Sequence, residues 1–316
     1  FGENFFYTRS SRDNMGSSSW SNFITMPPTI PVYDANNPGG YGYGSSDRAN
    51  TYALNPVAQE NINESVNDEE YMYGNIFGQL NLFKDVFKAK LNLAYKSYYG
   101  ITNSLRKKGN WTMGQGDDAA SVSSSMAKHH DILIEHTYTF DKTFGKHDVD
   151  AMVGMSYNRF HQETRSATKL DPLTVGDKYI TSISAATGTT SATGGYTESA
   201  LISYLGRVNY AYDGKYLVQL TARRDGTSKL PQGNKWGNFY SGSVGWRISG
   251  EDFFDVPAIN DLKIRANYGV LGNTNIGVWD YQSTINTAPR AVLGASDKVY
   301  VGMTQSNLTN NDLVWE

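Results

Sequence analysis

The sequence predicts an all-β fold, an antiparallel up-and-down transmembrane β-barrel segment of about nine strands. Three observations support this fold class. Runs in which apolar and polar residues alternate with period two recur down the chain. Short and long connections alternate between these runs. The composition combines only 39% hydrophobic residues with 13% aromatic residues, including 22 Tyr, beside 31 Gly, which suits a barrel with aromatic girdles and a wet interior.

The strands follow one another with little helical pattern between them. The clearest run places Leu262, Ile264 and Ala266 on one face and Lys263 and Arg265 on the other. The predicted strands lie, in chain order, near 5–7, 76–82, 89–95, 132–140, 149–157 and 200–212, and in runs that begin near 216, 240 and 262.

The lengths of the connections indicate which end of each strand faces which side of the membrane. Asp213-Gly214 between two alternating runs is a strong hairpin signal. The other short connections are 84–88 and 141–147, with a moderate one at 250–261. Short periplasmic turns and long extracellular loops are typical of outer-membrane barrels, so we expect 1–316 to be part of one barrel domain. The long extracellular loops are predicted at about 10–70, 100–129, 164–197, 227–238 and 272–316.

Two groups of residues are candidates for contact with a solute or a partner. Arg207, Arg223, Arg247 and Arg265 fall at the polar positions of four successive strands, so we expect them in the lumen. There they would pair with a plug or with neighbouring acids, or contact the solute directly. The second group consists of loop aromatics, which could dock a sugar ring or a peptide side chain, meet a partner protein, or only fold the loops. These are Trp20, Tyr41, Tyr43 and Trp111.

Composition and motif searches exclude several other classes. The 28 basic and 31 acidic residues give a net charge of −3, which argues against a nucleic-acid partner. The chain has no Cys, so disulfides and thiolate metal sites are excluded. No apolar run approaches the ~18 residues of a transmembrane helix. Phosphate-loop, nucleophile-elbow and zinc-protease motifs are absent from the sequence, and we expect no enzymatic activity and no catalytic residues.

No cofactor is expected, with one weak exception. The spacing of Asp34, Asn36 and Gly39 matches the start of a calcium loop, but Ser45 stands where a bidentate Glu is needed. The segment therefore offers at most an oxygen-rich loop site for a calcium ion.

Residues 198–277 carry a specific resemblance to a known family. The segments KYLVQLTARRDGTSKL at 215–230, NKWGNFYSGSVGWRIS at 234–249 and LKIRANYGVLGNTNIG at 262–277 resemble the barrel of SusC/RagA-type TonB-dependent outer-membrane transporters. Residues 130–160 and the C-terminal LVWE at 313–316 resemble the same family less closely.

The resemblance implies more than the residues show by themselves. Such a transporter has a plugged barrel of about 22 strands, so the chain would be its middle portion, without the plug, the TonB box and the remaining strands. The family imports a large nutrient, an oligosaccharide or oligopeptide, across the bacterial outer membrane. Its partners are TonB, reached through the missing N-terminal part, and a SusD-like surface lipoprotein that acts as a lid. The alternatives are a passive porin or autotransporter-type barrel and a soluble β-rich carbohydrate-binding module.

Overall fold

A single nine-stranded antiparallel sheet dominates the computed structural model. The structure describes residues 1–14, 19–37, 39–44, 54–108, 119–292 and 298–316. Each strand pairs with the next in chain order, which is the up-and-down arrangement that the sequence predicts, so the all-β fold and the count of nine are confirmed. The strands are β1 Gly2–Asp13, β2 Asn63–Leu82, β3 Phe87–Arg106, β4 Ser121–Phe144, β5 His147–Leu170, β6 Thr190–Tyr212, β7 Tyr216–Thr227, β8 Trp236–Arg247 and β9 Lys263–Gly269.

The first six strands are much longer than the alternating runs in the sequence, whereas β9 has only 7 residues. β4 and β5 have 24 residues each, more than twice the ~9–11 that a tilted strand needs to cross a bilayer. The predicted bounds of the long loops are therefore too wide. The connections within the sheet lie instead at 14–62, 107–120, 171–189 and 228–235, and the last predicted loop, 272–316, contains short paired strands.

Short turns join the other ends of β2 and β3, of β4 and β5, and of β6 and β7, whereas 248–262, with one 3-10 turn, joins β8 to β9. Between β6 and β7, Asp213 (φ 52°) and Gly214 (φ 64°) both adopt left-handed backbone conformations, as the hairpin turn predicted from the Asp-Gly pair requires. Gly145 (φ 61°) has the same conformation between β4 and β5. These turns and 248–262 lie at one end of the sheet, and 14–62, 107–120, 171–189 and 228–235 lie at the other.

Short helices and strand pairs lie outside the nine-stranded sheet. Helices α1 (Ser19–Thr25) and α2 (Pro56–Ile62) lie in the first, and the side chain of Asn55 caps α2 by accepting from the backbone N–H groups of Val57 and Ala58. Short strand pairs join 174–175 to 178–179, 285–286 to 304–305 and 290–292 to 299–301. Among the described helices, none has the length and apolarity to cross a membrane.

Candidate functional site

The strand register places all four predicted lumen arginines on one face of the sheet. Opposite residues of an antiparallel pair lie on the same face. Arg207 is opposite Thr221, two residues from Arg223, and Arg265 is opposite Gly245, two residues from Arg247. We call this the polar face. Its members include Asn75, Gln79, Lys90, Asn92, Glu135, Asp150, Arg207, Asn209, Gln219, Thr221, Arg223, Ser241, Ser243, Arg247 and Arg265.

The opposite face, the apolar face, exposes a wide hydrophobic surface. Val153, Leu220 and Ile264 are each 59% exposed. An apolar surface of this extent marks contact with a membrane or another protein. It also includes Ile76, Leu80, Leu91, Leu93, Ile132, Ile134, Tyr138, Val208, Val218, Tyr240, Val244 and Tyr268.

The apolar surface stops partway along the strands. On β3, β4 and β5 it covers 87–95, 132–140 and 149–157, about nine residues each, close to the ~9–11 that cross a bilayer. Aromatic residues lie at both borders, as in membrane barrels. Those near the turns include Phe87, Phe144, Tyr212, Tyr216 and Trp246, and those at the other border include Tyr95, Tyr157, Tyr204 and Trp236.

The border divides the sheet into two halves. The turn half runs from the short turns to the level of Tyr95, Ile132 and Tyr157, and the loop half comprises the rest of the long strands. In the loop half, the face that continues the apolar face carries ions, including the pair Arg159 and Glu198. In the loop half this face therefore mixes charged residues with a small buried apolar cluster that includes Leu105 and Val122, and the exposed apolar band ends at the border.

Neighbouring acids neutralise two of the four arginines. The Nε of Arg223 lies 2.8 Å from both carboxylate oxygens of Asp225, and its Nη2 donates to Ser203 Oγ at 3.1 Å. Asp225 is only 7% exposed, and a buried carboxylate requires such a partner. The Nε of Arg247 lies 3.1 Å from Asp261.

The other two arginines have unused hydrogen-bonding capacity. The Nε atom of Arg207 is buried and has no hydrogen-bond partner among the described residues. Arg265 borders a cavity of about 220 Å³ whose lining also includes Asp148, Asp150, Asn209 and Gln219. Within that lining, Asn209 donates to Asp150 at 2.6 Å. Arg207 and Arg265 are thus the lumen candidates best placed to bind a group from outside the sheet.

Three aromatic rings lie in a row across the polar face in the loop half. The rings of Tyr98 and His129 are nearly parallel with centroids 4.4 Å apart, and Phe160 lies 6.2 Å beyond His129. The Tyr98 hydroxyl donates to Glu69 at 3.0 Å. That hydrogen bond, followed by one from Asn67, lowers the pKa of Glu69 below its usual value. Burial, followed by the bond to Glu69, raises the pKa of Tyr98.

A shallow cavity of about 470 Å³ adjoins this aromatic row on the side of the long loops. Its lining consists mainly of small and hydroxyl-bearing residues. A side chain at Gly100 would place its Cβ 2.5 Å from the Tyr98 hydroxyl, so the ring needs a glycine at this position. The lining includes Gly100, Thr102, Ser125, Ala127, Thr164, Ser166 and Gly195.

Sequence reasoning missed the aromatic row because Tyr98 and His129 lie outside the predicted strands. Counting outward from the tight turns could have found their pairing. Tyr98 follows the start of β3 by as many residues as His129 precedes Phe140, the partner of Phe87 in the register. The two rings therefore meet on adjacent strands.

The loop aromatics remain separate in the structure. Trp20, predicted in a flexible loop, lies in helix α1, where it is 73% exposed and stacks on Phe23 at 5.8 Å. The rings of Tyr41 and Tyr33 are 5.6 Å apart, and Tyr43 is half-buried. Trp111 lies outside the described residues.

The possible calcium segment shows internal hydrogen bonding. The Asp34 carboxylate accepts from the backbone N–H and the side-chain amide of Asn36 at 3.0 and 3.1 Å. Ser45 lies outside the described residues. In the part of the chain that the structure describes, His, Asp and Glu side chains form no group of three that could hold a metal ion.

A sheet with one polar face and one apolar band about nine residues long is what the wall of an outer-membrane β-barrel requires. Comparisons with known proteins agree, although no family model matches the chain. The chain is 28% identical over 335 residues to TonB-dependent receptor P3 of Formosa agariphila, covering 100% of the chain and 31% of that protein. It is 27% identical over 278 residues to TonB-dependent receptor SusC of Bacteroides thetaiotaomicron, covering 80% of the chain and 26% of that protein.

Solved structures share the fold. The RagAB peptide transporter matches with a TM-score of 0.75 at 18% identity, over 99% of this chain and 35% of that chain. The RagAB peptide importer in its open-open state matches with a TM-score of 0.76 over 100% and 34%. The predicted resemblance is thus confirmed: the chain is similar to about one third of a SusC/RagA-like TonB-dependent transporter.

Proposed function

We propose that this chain forms part of the wall of an outer-membrane barrel that actively imports a large nutrient into the periplasm. The apolar face of the turn half contacts lipid, and the polar face lines the import path. Energy comes from TonB through a plug outside this chain. The solute is an oligosaccharide or oligopeptide, and a SusD-like lipoprotein covers the long loops.

The observation that supports this proposal most strongly is the opposition of the two faces in the turn half. A soluble carbohydrate-binding module would have to cover the exposed band that includes Leu220 and Ile264. A barrel wall needs that band against lipid and needs polar residues on the other side. The relatives named as TonB-dependent receptors favour active import over a passive porin.

The chemistry of the polar face fits the passage of a polar solute. Its amides and carboxylates are largely bonded to one another, as in the run Asn4, Asn75 and Asn92, whose side chains are linked at 2.8 Å. Because the polar groups of such a wall already have hydrogen-bond partners, the wall need not bind a solute tightly. Arg207 and Arg265, with free donors, are positioned to contact the solute or the plug as it moves.

The test uses cells that express the full-length transporter and take up a labelled oligosaccharide or oligopeptide. We expect uptake to stop when TonB is deleted. We also expect Arg207→Leu and Arg265→Leu to reduce uptake while the amount of transporter in the outer membrane stays unchanged, because neither arginine neutralises a buried carboxylate among the described residues. Arg9→Leu is the matched control, because Arg9 forms only an exposed ion pair with Glu70 at 3.8 Å outside the polar face.

Two results would contradict the proposal. Uptake that persists without TonB would indicate a passive pore. Recovery of the transporter in the aqueous fraction would indicate a soluble module.

A further inference from the structure

Arg224 lies on the side of the sheet opposite to the four predicted lumen arginines. Arg224 is opposite Tyr204 on β6 and Asn238 on β8. It therefore belongs to the apolar face, whereas its neighbour Arg223 lies on the polar face. Arg224 is exposed, and it lies at the border of the turn half, because 216–224 of β7 spans about nine residues.

An aromatic pair holds this arginine in place. The guanidinium carbon of Arg224 lies 5.1 Å from the centre of the Trp236 ring, within the range of a cation–π contact. Trp236 in turn stacks on Tyr204, with centroids 6.1 Å apart and planes 22° apart. The contact to Trp236 orients the guanidinium and uses none of its N–H donors.

Arg224 has no counter-charge from the protein. In the described part of the chain it makes no ion pair and no hydrogen bond, and its register partners Tyr204 and Asn238 carry no charge. Other arginines on this side of the sheet are paired, such as Arg159 with Glu198 and Arg9 with Glu70. An arginine beside an apolar surface is costly unless an anion neutralises it.

We propose that Arg224, Trp236 and Tyr204 form a binding site for the phosphate of a lipid headgroup in the leaflet on the side of the long loops. This rests on the proposed membrane location of the sheet. The planar guanidinium can donate two parallel hydrogen bonds to a phosphate. The acyl chains would lie along the apolar face below, which includes Tyr240 and Val244. A lipid supplies both the phosphate for the arginine and the acyl chains for the apolar face, whereas free phosphate supplies no acyl chains.

The test measures lipid retention by the full-length transporter. The detergent-purified protein is incubated with diphosphoryl lipid A or with its dephosphorylated form, and bound lipid is counted by native mass spectrometry. We expect Arg224→Gln to weaken binding of the phosphorylated lipid about tenfold, in line with the loss of one charge-assisted contact. Arg224→Lys should retain intermediate binding, because it keeps the charge but not the planar pair of donors.

Lys142→Gln is the matched control. Lys142 lies on the same face at the opposite border, with its Nζ 4.8 Å from the centre of the Phe144 ring. We expect this change to leave binding of diphosphoryl lipid A unaltered, and we expect the dephosphorylated lipid to bind all variants alike.

Several outcomes would overturn the proposal. One is equal retention of the phosphorylated lipid by the wild type and Arg224→Gln. Another is an equal loss in Lys142→Gln, which would show general charge attraction. Displacement of the lipid by millimolar inorganic phosphate would show a free-anion site. The wild type is first located by membrane fractionation, before any lipid is added. If it is missing from the outer-membrane fraction, the proposed membrane location is wrong, which is a separate result from the loss of lipid binding.

Discussion

The two halves of the sheet share the same strands but differ in what their faces contact. In β4, 132–140 has apolar residues on one face and mainly polar residues on the other, whereas in 121–131 Ser, Lys and His lie beside Val122 and Met126 on the side that continues the apolar face. The pairing of β4 with β5 nevertheless continues without a break from Ser121 to Phe144. Backbone hydrogen bonds thus set the length of the strands, and only the pattern of side chains marks where the membrane would lie.

The largest expected difference between the halves concerns charge on the apolar side. Val218 in the turn half and Val66 in the loop half lie on the same side of the sheet and are both 37% exposed. We expect Val218→Arg to cost about 2–4 kcal/mol of folding free energy in the membrane if it lies near the midplane. Val66→Arg, in water, should change the folding free energy by less than about 0.5 kcal/mol.

The measurement is denaturant unfolding of the full-length transporter in lipid vesicles, with the amount of folded protein in the outer membrane as a second readout. Ile264→Arg should behave like Val218→Arg, because Ile264 lies on the same face of β9. Equal costs at Val218 and Val66 would mean that the turn half is not the part in lipid.

The second prediction concerns packing in the loop half. Gly100→Ala should destabilise this half by about 1–3 kcal/mol, the usual cost of overpacking, because the new Cβ would displace the Tyr98 ring from His129 and from Glu69. Gly195→Ala is the control. It lines the same cavity, but a Cβ there meets nothing within 4 Å.

Hydrogen exchange of the β3 and β4 amides reports this effect. We expect faster exchange around Tyr98 in Gly100→Ala while amides in the turn half keep their protection. Matching exchange rates in the two variants would show that the aromatic row does not stabilise the loop half.

The same contrast explains what the sequence could predict. Alternation located every strand of the turn half except the first, because one face there must be apolar and the other polar, and the first strand is predicted from the aromatic residues near 5–7. It failed at 121–131 and 158–170, where Ser, Thr and charged residues occupy both faces and no period-two signal remains. The strands there continue because they pair with long neighbours, which is a property of the register and not of local composition.

The candidate site divides in the same way. The side of the sheet on which Arg207 and Arg265 lie follows from alternation alone, and the structure agrees with it. The partners of Arg223 and Arg247 do not follow from alternation. The Arg223 guanidinium bonds to Asp225 because it points along its own strand, and Arg247 meets Asp261 because of the path that the chain takes after β8. In the sequence Arg224 is only one residue of a family motif, and its face becomes informative once Trp236 is placed beside it.

The third prediction tests the turns that end the turn half. Gly214→Ala should cost about 1 kcal/mol, because a side chain is disfavoured at its positive φ of 64°. Gly78→Ala should lack this cost, since Gly78 lies in regular strand and, as at Gly214, a Cβ added there would meet nothing within 4 Å. The difference in folding free energy between the two variants, measured in vesicles, isolates the backbone contribution. A difference of zero would contradict the left-handed turn.

The smallest expected effect is a pH dependence confined to the loop half. Burial, followed by the charge of Lys96, lowers the pKa of His129 below its usual value. The unfolded chain therefore binds the proton more readily than the folded one, and stability falls as the pH decreases below about 6.5 and levels off below the folded pKa. Burial also lowers the pKa of His130. We therefore expect His129→Phe, which keeps a stacked ring, to reduce the dependence of stability on pH without abolishing it. Hydrogen exchange of the loop-half amides at about pH 7.5 and pH 5.5, on either side of the ordinary His pKa, measures this dependence of stability on pH. The same dependence in His129→Phe as in the wild type would exclude His129 as its source.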